Sequence, residues 1–274
     1  MSKVSIVTIS FNQARFLERA ILSVLRQEHR DVEYIVVDPG STDGSREIIE
    51  RYRADISHIV LEPDSGPADG LNKGFALATG AVWGFLNADD VLLPYALSRA
   101  VSFLAAHSDI DVVSAHASII DEDDHEIRKA FSDRLSLTRY AYGACVLLQP
   151  STFFRPEVFK RAGGFNRDNR CTWDGELFVA MKIVGARFAV VDDVWSGFRL
   201  QADSITASAS AKIEAALARY RERIFLHIMG RPRRAYDPTI AAFMRVAKHA
   251  LNPRNALQRI LHGRIYGRYS RPAA

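Results

Sequence analysis

Two hydrophobic rhythms alternate along the first hundred residues. Val4-Ser5-Ile6-Val7-Thr8-Ile9 is β-branched with polar residues interleaved, the pattern of a strand. Phe16, Leu17, Ala20, Ile21, Val24 and Leu25 then repeat along one face of a helix. Tyr34-Ile35-Val36-Val37 predicts a second strand, closed by Asp38 and the turn Pro39-Gly40-Ser41-Thr42-Asp43-Gly44, and Ile48, Ile49 and Tyr52 begin another helical stripe. Residues 57–61 predict a short third strand, and the turn Glu62-Pro63-Asp64-Ser65-Gly66-Pro67 opens a helix through Ala78. A fourth strand, 81–86, runs into Asn87-Ala88-Asp89-Asp90. Beyond Pro94 a helix follows, carried by Leu97, Ala100, Val101 and Leu104. Strand–helix alternation at this spacing predicts an α/β fold with a mostly parallel sheet, flanking helices and right-handed crossovers.

Polar residues gather where these strands end. Thr8, Ser10 and Asn12 close the first, Asp38 the second, Glu62 and Asp64 follow the third, and Asn87, Asp89 and Asp90 close the fourth. Strand ends on one edge of an open sheet form a crevice of the kind that binds a nucleotide. Adjacent carboxylates such as Asp89 and Asp90 repel each other unless a cation relieves them, and Mg2+ or Mn2+ suits an all-oxygen site. Each residue also has a plainer use: Asp before a helix caps it, and Asp38, Asp43 and Asp64 suit turns. No Gly-x-Gly-x-x-Gly follows the first strand and no Gly-x-x-x-x-Gly-Lys-Ser/Thr loop occurs, which counts against dinucleotide and P-loop folds.

The 274-residue chain is long enough for one large domain or two small ones. Its apolar runs fall short of a membrane span, and the amino terminus reads as a strand rather than a signal peptide. Cys145 and Cys171 stand without framework or metal spacing, which favours a reducing, cytoplasmic setting. His107, His116 and His125 show no ligand spacing and read as surface or loop residues. The net charge of +4 conceals a balance of +11 from Lys212 onward against −7 before it. That asymmetry predicts a 1–210 domain and a 211–274 basic helical extension. In the extension, Ile213, Ala216, Leu217, Tyr220, Ile224 and Phe225 form one helical stripe, and a second apolar series runs from Ile240 to Leu261. It reads as a helical cover over the 1–210 domain or as a peripheral anchor on an anionic membrane surface at the inner face. Nucleic acid is not an expected partner, because charge alone, without a binding motif, does not make an interface.

The same stretches carry a resemblance. Val4-Ser5-Ile6-Val7-Thr8-Ile9-Ser10-Phe11-Asn12, Val36-Val37-Asp38-Pro39-Gly40-Ser41-Thr42-Asp43-Gly44-Ser45, Glu62-Pro63-Asp64-Ser65-Gly66 through Asn72-Lys73-Gly74, and Phe85-Leu86-Asn87-Ala88-Asp89-Asp90 resemble successive motifs of the family 2 glycosyltransferases. Gln149-Pro150-Ser151-Thr152-Phe153-Phe154, Gly163-Gly164-Phe165, Trp173-Asp174-Gly175-Glu176-Leu177 and Arg199-Leu200-Gln201-Ala202-Asp203-Ser204-Ile205-Thr206 continue it. The resemblance implies a GT-A type, Rossmann-like fold and an inverting transfer of sugar from a nucleotide-sugar donor, a UDP-sugar foremost. Its acceptor would be a hydroxyl on a glycan or lipid-linked precursor of bacterial envelope polysaccharide.

It also implies roles. Asp174 becomes the catalytic base, with Glu176 as runner-up; spacing alone favours a first-turn aspartate stabilised by the helix dipole, and the resemblance reverses that preference. Asp90 becomes the direct metal ligand and Asp89 a second one that also contacts the donor. Thr8, Ser10, Asn12, Asp38, Asp64, Lys73, Asn87 and Asp89 become the nucleotide-sugar contacts. Three positions depart from the pattern: Pro39 replaces a second Asp, Asn87 the first Asp of the metal motif, and Gln201 a His. Asn87 and Gln201 keep a second reading in view, a catalytically silent nucleotide-sugar-binding scaffold. A sugar nucleotidyltransferase is the third, and it lacks the Gly-rich basic loop that activity needs.

Overall fold

The computed structural model describes residues 2–201 and 211–263. Its first half follows the predicted alternation: β1 (Val4–Ile9), α1 (Ala14–Leu25), β2 (Val32–Val37), α2 (Ser45–Arg51), β3 (His58–Val60), α3 (Pro67–Leu77) and β4 (Val82–Asn87). β1 sits between β2 and β4, parallel to both, and β3 extends the sheet beyond β2. The near-continuous apolar run of β1 has its cause here, since helices cover both faces of the sheet. Val4 and Ile6 point to one face, where they meet Leu17 and Ile21 of α1. Val7 points to the other, against Leu71 and Phe75 of α3.

Five further strands lie outside the predicted series and make the sheet mixed. They are β5 (Val91–Leu92), β6 (Val112–Ile120), β7 (Glu126–Ala130), β8 (Thr152–Phe154) and β9 (Phe188–Arg199). The order is β3-β2-β1-β4-β8-β6-β9-β5, with β7 paired to β6. β8 is antiparallel to β4 and to β6, while β9 runs parallel to β6 and antiparallel to β5. Helices α4 (Ala96–Ala106), α5 (Leu137–Ala141), α6 (Pro156–Ala162) and α7 (Trp173–Ile183) complete this part. α4 adds Leu97, Val101 and Leu104 to the α1 side; α6 and α7 add Phe159, Leu177 and Phe178 to the α3 side. His116 departs from its reading as a surface residue. It lies buried in β6, where its Nδ1 accepts a hydrogen bond from the Ser132 amide.

Register places the site. Ile9 pairs with Val37 on one side and Asn87 on the other, so β1, β2 and β4 end at one level. Backbone bonds carry the ladder one step on, from Ser10 N–H to the Val37 carbonyl and from Ala88 N–H to that of Ile9. Ser10, Asp38 and Ala88 therefore stand side by side at the carboxyl edge.

The described part of the basic extension, residues 211–263, is largely helical. α8 (Ala211–Met229) lays Tyr220, Ile224 and Phe225 against the body, and the Tyr140 and Tyr220 hydroxyls meet at 3.0 Å. The apolar series from Ile240 to Leu261 is two helices, α9 (Asp237–Leu251) and α10 (Pro253–His262). Pro253 breaks it, because a residue preceding proline avoids the helical region; Asn252 has φ −136° and ψ 73°. The predicted boundary at 210/211 adjoins residues outside the described set.

Gly84, in the middle of β4, has no room for a side chain. A Cβ there would lie 2.6 Å from the Phe153 ring and 3.2 Å from Ile6 Cδ1. Gly84→Ala is expected to cost about 1–3 kcal/mol in denaturant unfolding, as overpacked cores do. A variant as stable as the parent would show that this packing is looser than described.

Candidate active site

The edge where β1, β2 and β4 end opens into a cleft of ≈ 810 Å³. Ser10, Asp64, Asn87, Asp89, Asp90 and Asp174 all line it. A second groove of ≈ 680 Å³, beside α4 and β9, contains none of these groups.

Asp89 and Asp90 occupy the turn between β4 and β5, and Arg199 at the end of β9 fixes that turn. The Arg199 amide donates to Asp90 Oδ1 at 2.9 Å, and its Nε donates to the Asp89 carbonyl at 2.7 Å. Its Nη1 reaches the Asp121 carbonyl at 2.6 Å, its Nη2 pairs with the Asp124 carboxylate, and the guanidinium stacks 5.0 Å from the Phe16 ring centre. Asp89 Oδ2 accepts from Gln201 Nε2 at 2.7 Å.

Asp90 Oδ2, Asn87 Oδ1 and the Ser10 hydroxyl are buried and have no hydrogen-bond partner among the described residues. Burial and then the neighbouring Asp89 charge push the Asp90 carboxyl well above the ordinary carboxylate range; burial also raises Asp89. Among the described residues, no group of three His, Cys, Asp or Glu side chains is arranged to hold a metal ion by itself. The donor set here is two carboxylates with oxygen-rich neighbours. That suits a hard divalent cation whose remaining positions are filled by phosphate oxygens and water.

Asp174 and Glu176 both lie in the first turn of α7, but their surroundings differ. Glu176 is spent on structure. It accepts from Asn166 at 3.1 Å, Asn169 at 2.6 Å and Arg223 of α8 at 2.8 Å. Asp174 lines the cleft with no side-chain partner among the described residues. Burial raises its pKa above 3.8, opposed only by amides at the helix start.

The remaining predicted contacts divide. The Asp38 carboxylate is fully buried and organises its own turn, accepting from the Gly40 and Ser41 amides, the Ser41 hydroxyl and Arg46 Nε. Pro39, the next residue, is the one that lines the cleft. Asn12, at a left-handed φ of 53°, accepts from the Thr42 amide at 2.9 Å and joins the two loops. Thr8 is buried within β1, its hydroxyl accepting from the Tyr34 hydroxyl at 3.0 Å. Lys73 turns away from the cleft, donating to the Pro63 carbonyl at 2.6 Å. Asp203, Ser204 and Thr206 lie outside the described residues.

Sequence reasoning missed Arg170, which enters the cleft from the loop before α7. Its Nη1 lies 2.5 Å from where a Gly66 Cβ would be, so the guanidinium rests against the Asp64-Ser65-Gly66 turn. An arginine in an irregular loop has no periodic signal. Gln149 was seen only as part of a motif; its Nε2 donates to the Phe85 carbonyl at 2.6 Å and its Oε1 accepts from Asn87 at 3.2 Å.

A mixed sheet with carboxylates gathered in one crevice at its carboxyl edge defines a GT-A type, Rossmann-like architecture. The family model for glycosyl transferase family 2 matches residues 5–172, and the chain belongs to that family. An uncharacterized glycosyltransferase of Nostoc sp. is 42% identical over 131 residues, 47% of this chain and 40% of its own. A PGL/p-HBAD biosynthesis glycosyltransferase of Mycobacterium bovis is 30% identical over 177 residues, 62% of this chain and 66% of its own. The chain thus spans less than two thirds of either relative. S. aureus TarS 1–349 in complex with UDP-GlcNAc superposes with a TM-score of 0.65 at 18% identity, covering 94% of this chain and 74% of that one. The Pyrobaculum calidifontis mannosyltransferase PcManGT, in complex with GDP-Man and Mn2+, gives 0.62 at 19% identity, covering 95% and 74%.

Arg199→Met keeps an apolar stem but leaves the Asp89 and Asp121 carbonyls without their donor. Such losses predict a destabilisation of about 2–4 kcal/mol, discounted for the partly exposed Asp124. Denaturant unfolding checks it, and a change below about 1 kcal/mol would mean that solvent replaces the guanidinium freely.

Proposed function

We propose that the protein transfers a sugar from a nucleotide-diphosphate donor to a hydroxyl acceptor, with inversion at the anomeric carbon, in envelope glycan synthesis. The observation that carries this reading is the contrast between Asp174, unpaired in the cleft with Asp89 and Asp90, and Glu176, saturated beside it. The donor-bound relatives support a nucleotide sugar, and because one holds a UDP-sugar and the other GDP-Man, UDP-sugars are the first donors to test rather than the only ones. The Mycobacterium bovis glycosyltransferase of PGL/p-HBAD biosynthesis supports an envelope acceptor, a glycan or lipid-linked hydroxyl.

In this mechanism Asp174 accepts the acceptor's hydroxyl proton as that oxygen attacks the anomeric carbon. The bond from that carbon to the donor phosphate breaks, and the nucleoside diphosphate leaves with the electron pair. One positioned carboxylate suffices for such an inverting displacement. Burial raises the Asp174 carboxyl, which makes its carboxylate a better proton acceptor than an ordinary aspartate. Arg170, against the Asp64–Gly66 turn, is placed to meet donor phosphate, with Ser10 and Asn87 offering further polar contacts. Asp90, through its unpartnered Oδ2, and Asp89 would hold Mg2+ or Mn2+, which when bound neutralises charge on the departing diphosphate.

Asp174→Asn is expected to lower transfer by roughly 100-fold or more while donor affinity stays within about twofold. Glu176→Gln should lose stability first and activity second, since it loosens the Asn166–Asn169 loop and α8. Native-rate transfer by Asp174→Asn would remove it as the base. The pH profile carries an independent sign: Asp174 works only when deprotonated, so activity should fall as pH drops through a pKa above 3.8. An acid limb at or below that value would contradict the buried setting.

Asp90→Asn removes one charge from the pair and the carboxylate proposed to ligate. Calorimetric titration with Mn2+ in the presence of nucleoside diphosphate should show at least about tenfold weaker metal binding, with the fold intact by circular dichroism. Unchanged Mn2+ affinity would place the ion elsewhere.

A further inference from the structure

The carboxyl-terminal helices leave apolar surface in an unusual position. α9 packs Ile240, Ala241 and Met244 inward beside Tyr142 and Phe225. Its opposite side presents Phe243, 72% exposed, and Val246, 71% exposed, three residues apart on one helical face. α10 buries no residue at all. It is held to β7 by polar bonds, Asn255 Oδ1 accepting from the Phe131 amide and Gln258 Oε1 from that of Lys129. Leu257, Ile260 and Leu261, at i, i+3 and i+4, stand 54%, 80% and 62% exposed. α10, with its polar side fixed to the body and its apolar side facing out, and the exposed face of α9 are built to meet another apolar medium.

Charge selects the medium. After Asp237 the remaining residues, 238–274, contain seven Lys or Arg and no Asp or Glu. Of those in the described part, Lys248 is engaged with Asp133 and Arg254 with Asp192, so Arg245 and Arg259 are the cations beside the apolar faces without an ion pair among the described residues. No helix among the described residues is long and apolar enough to cross a membrane. We propose that the outer face of α9 and α10 docks in-plane on an anionic lipid surface, with Phe243, Val246, Leu257, Ile260 and Leu261 entering the acyl boundary. Basic side chains meet the lipid phosphates around them. The proposal rests on the surface itself, not on the transferase reading.

The test uses the full chain and vesicles of phosphatidylcholine alone or with roughly one-third phosphatidylglycerol. Flotation should show binding at least about tenfold stronger to the anionic vesicles, weakening as salt screens the charges. Phe243→Ser with Ile260→Ser and Leu261→Ser should abolish it even at low salt. These side chains are exposed, so folding and donor binding should be unchanged, which circular dichroism and calorimetry verify. Equal binding to both vesicle types, absence of binding, or full binding by the triple variant would each overturn the proposal. So would a concentration-dependent oligomer in light scattering that the same substitutions dissolve, since a second copy would then be the occupant.

Discussion

The Arg199 guanidinium is the contact on which the cleft depends. It is buried, yet it bonds to the main chain of the Asp89–Asp90 turn, to the Asp121 carbonyl and Asp124 carboxylate at the β6–β7 hairpin, and stacks on Phe16 of α1. Four segments far apart in sequence meet at one side chain. Burying a cation is costly unless its donors are satisfied, and here carbonyls and a carboxylate satisfy them. The arrangement also sets a positive charge beside two carboxylates that would otherwise repel each other. It offsets that repulsion only in part, because burial still pushes both Asp89 and Asp90 upward.

Across the cleft the electrostatics run differently. Asp174 is raised by burial, with no neighbouring cation lowering it, whereas Glu176 is tied into the Asn166–Asn169 loop and Arg223. Two carboxylates two residues apart thus have separate fates. One lines the cleft without a side-chain partner among the described residues, and the other attaches α8 to the loop that also carries Arg170. The basic extension therefore supports the cleft wall from behind through α8, while α9 and α10 turn apolar side chains outward. Cover and exposed surface coexist, because α8 and the inner side of α9 pack on the body while the outer side of α9 and α10 face away from it.

The parallel half of the fold was legible in the sequence. β-branched runs and i, i+3, i+4 stripes report burial on both faces of a sheet, and strand ends in such a sheet converge whatever the loops do. Ser10, Asp64, Asn87, Asp89, Asp90 and Asp174 accordingly meet in one cleft. The motifs also identified the family, which the match over residues 5–172 shows.

The antiparallel half and the working state of each polar group were decided by tertiary structure. β8 is three residues long, and β5 is two; their pairing comes from neighbours, not from their own pattern. Periodicity records which side of an element is buried, but not what a polar atom finds when it arrives. Asp38 is absorbed by its own turn, Thr8 by Tyr34 of β2 and Asn12 by the Thr42 loop, while Lys73 turns to the Pro63 carbonyl. Arg170 arrives from a loop with no pattern to announce it. Such assignments depend on contacts between residues distant along the chain, and a hydrogen bond across 109 positions, such as that joining Asp90 to Arg199, exists only once the sheet has formed.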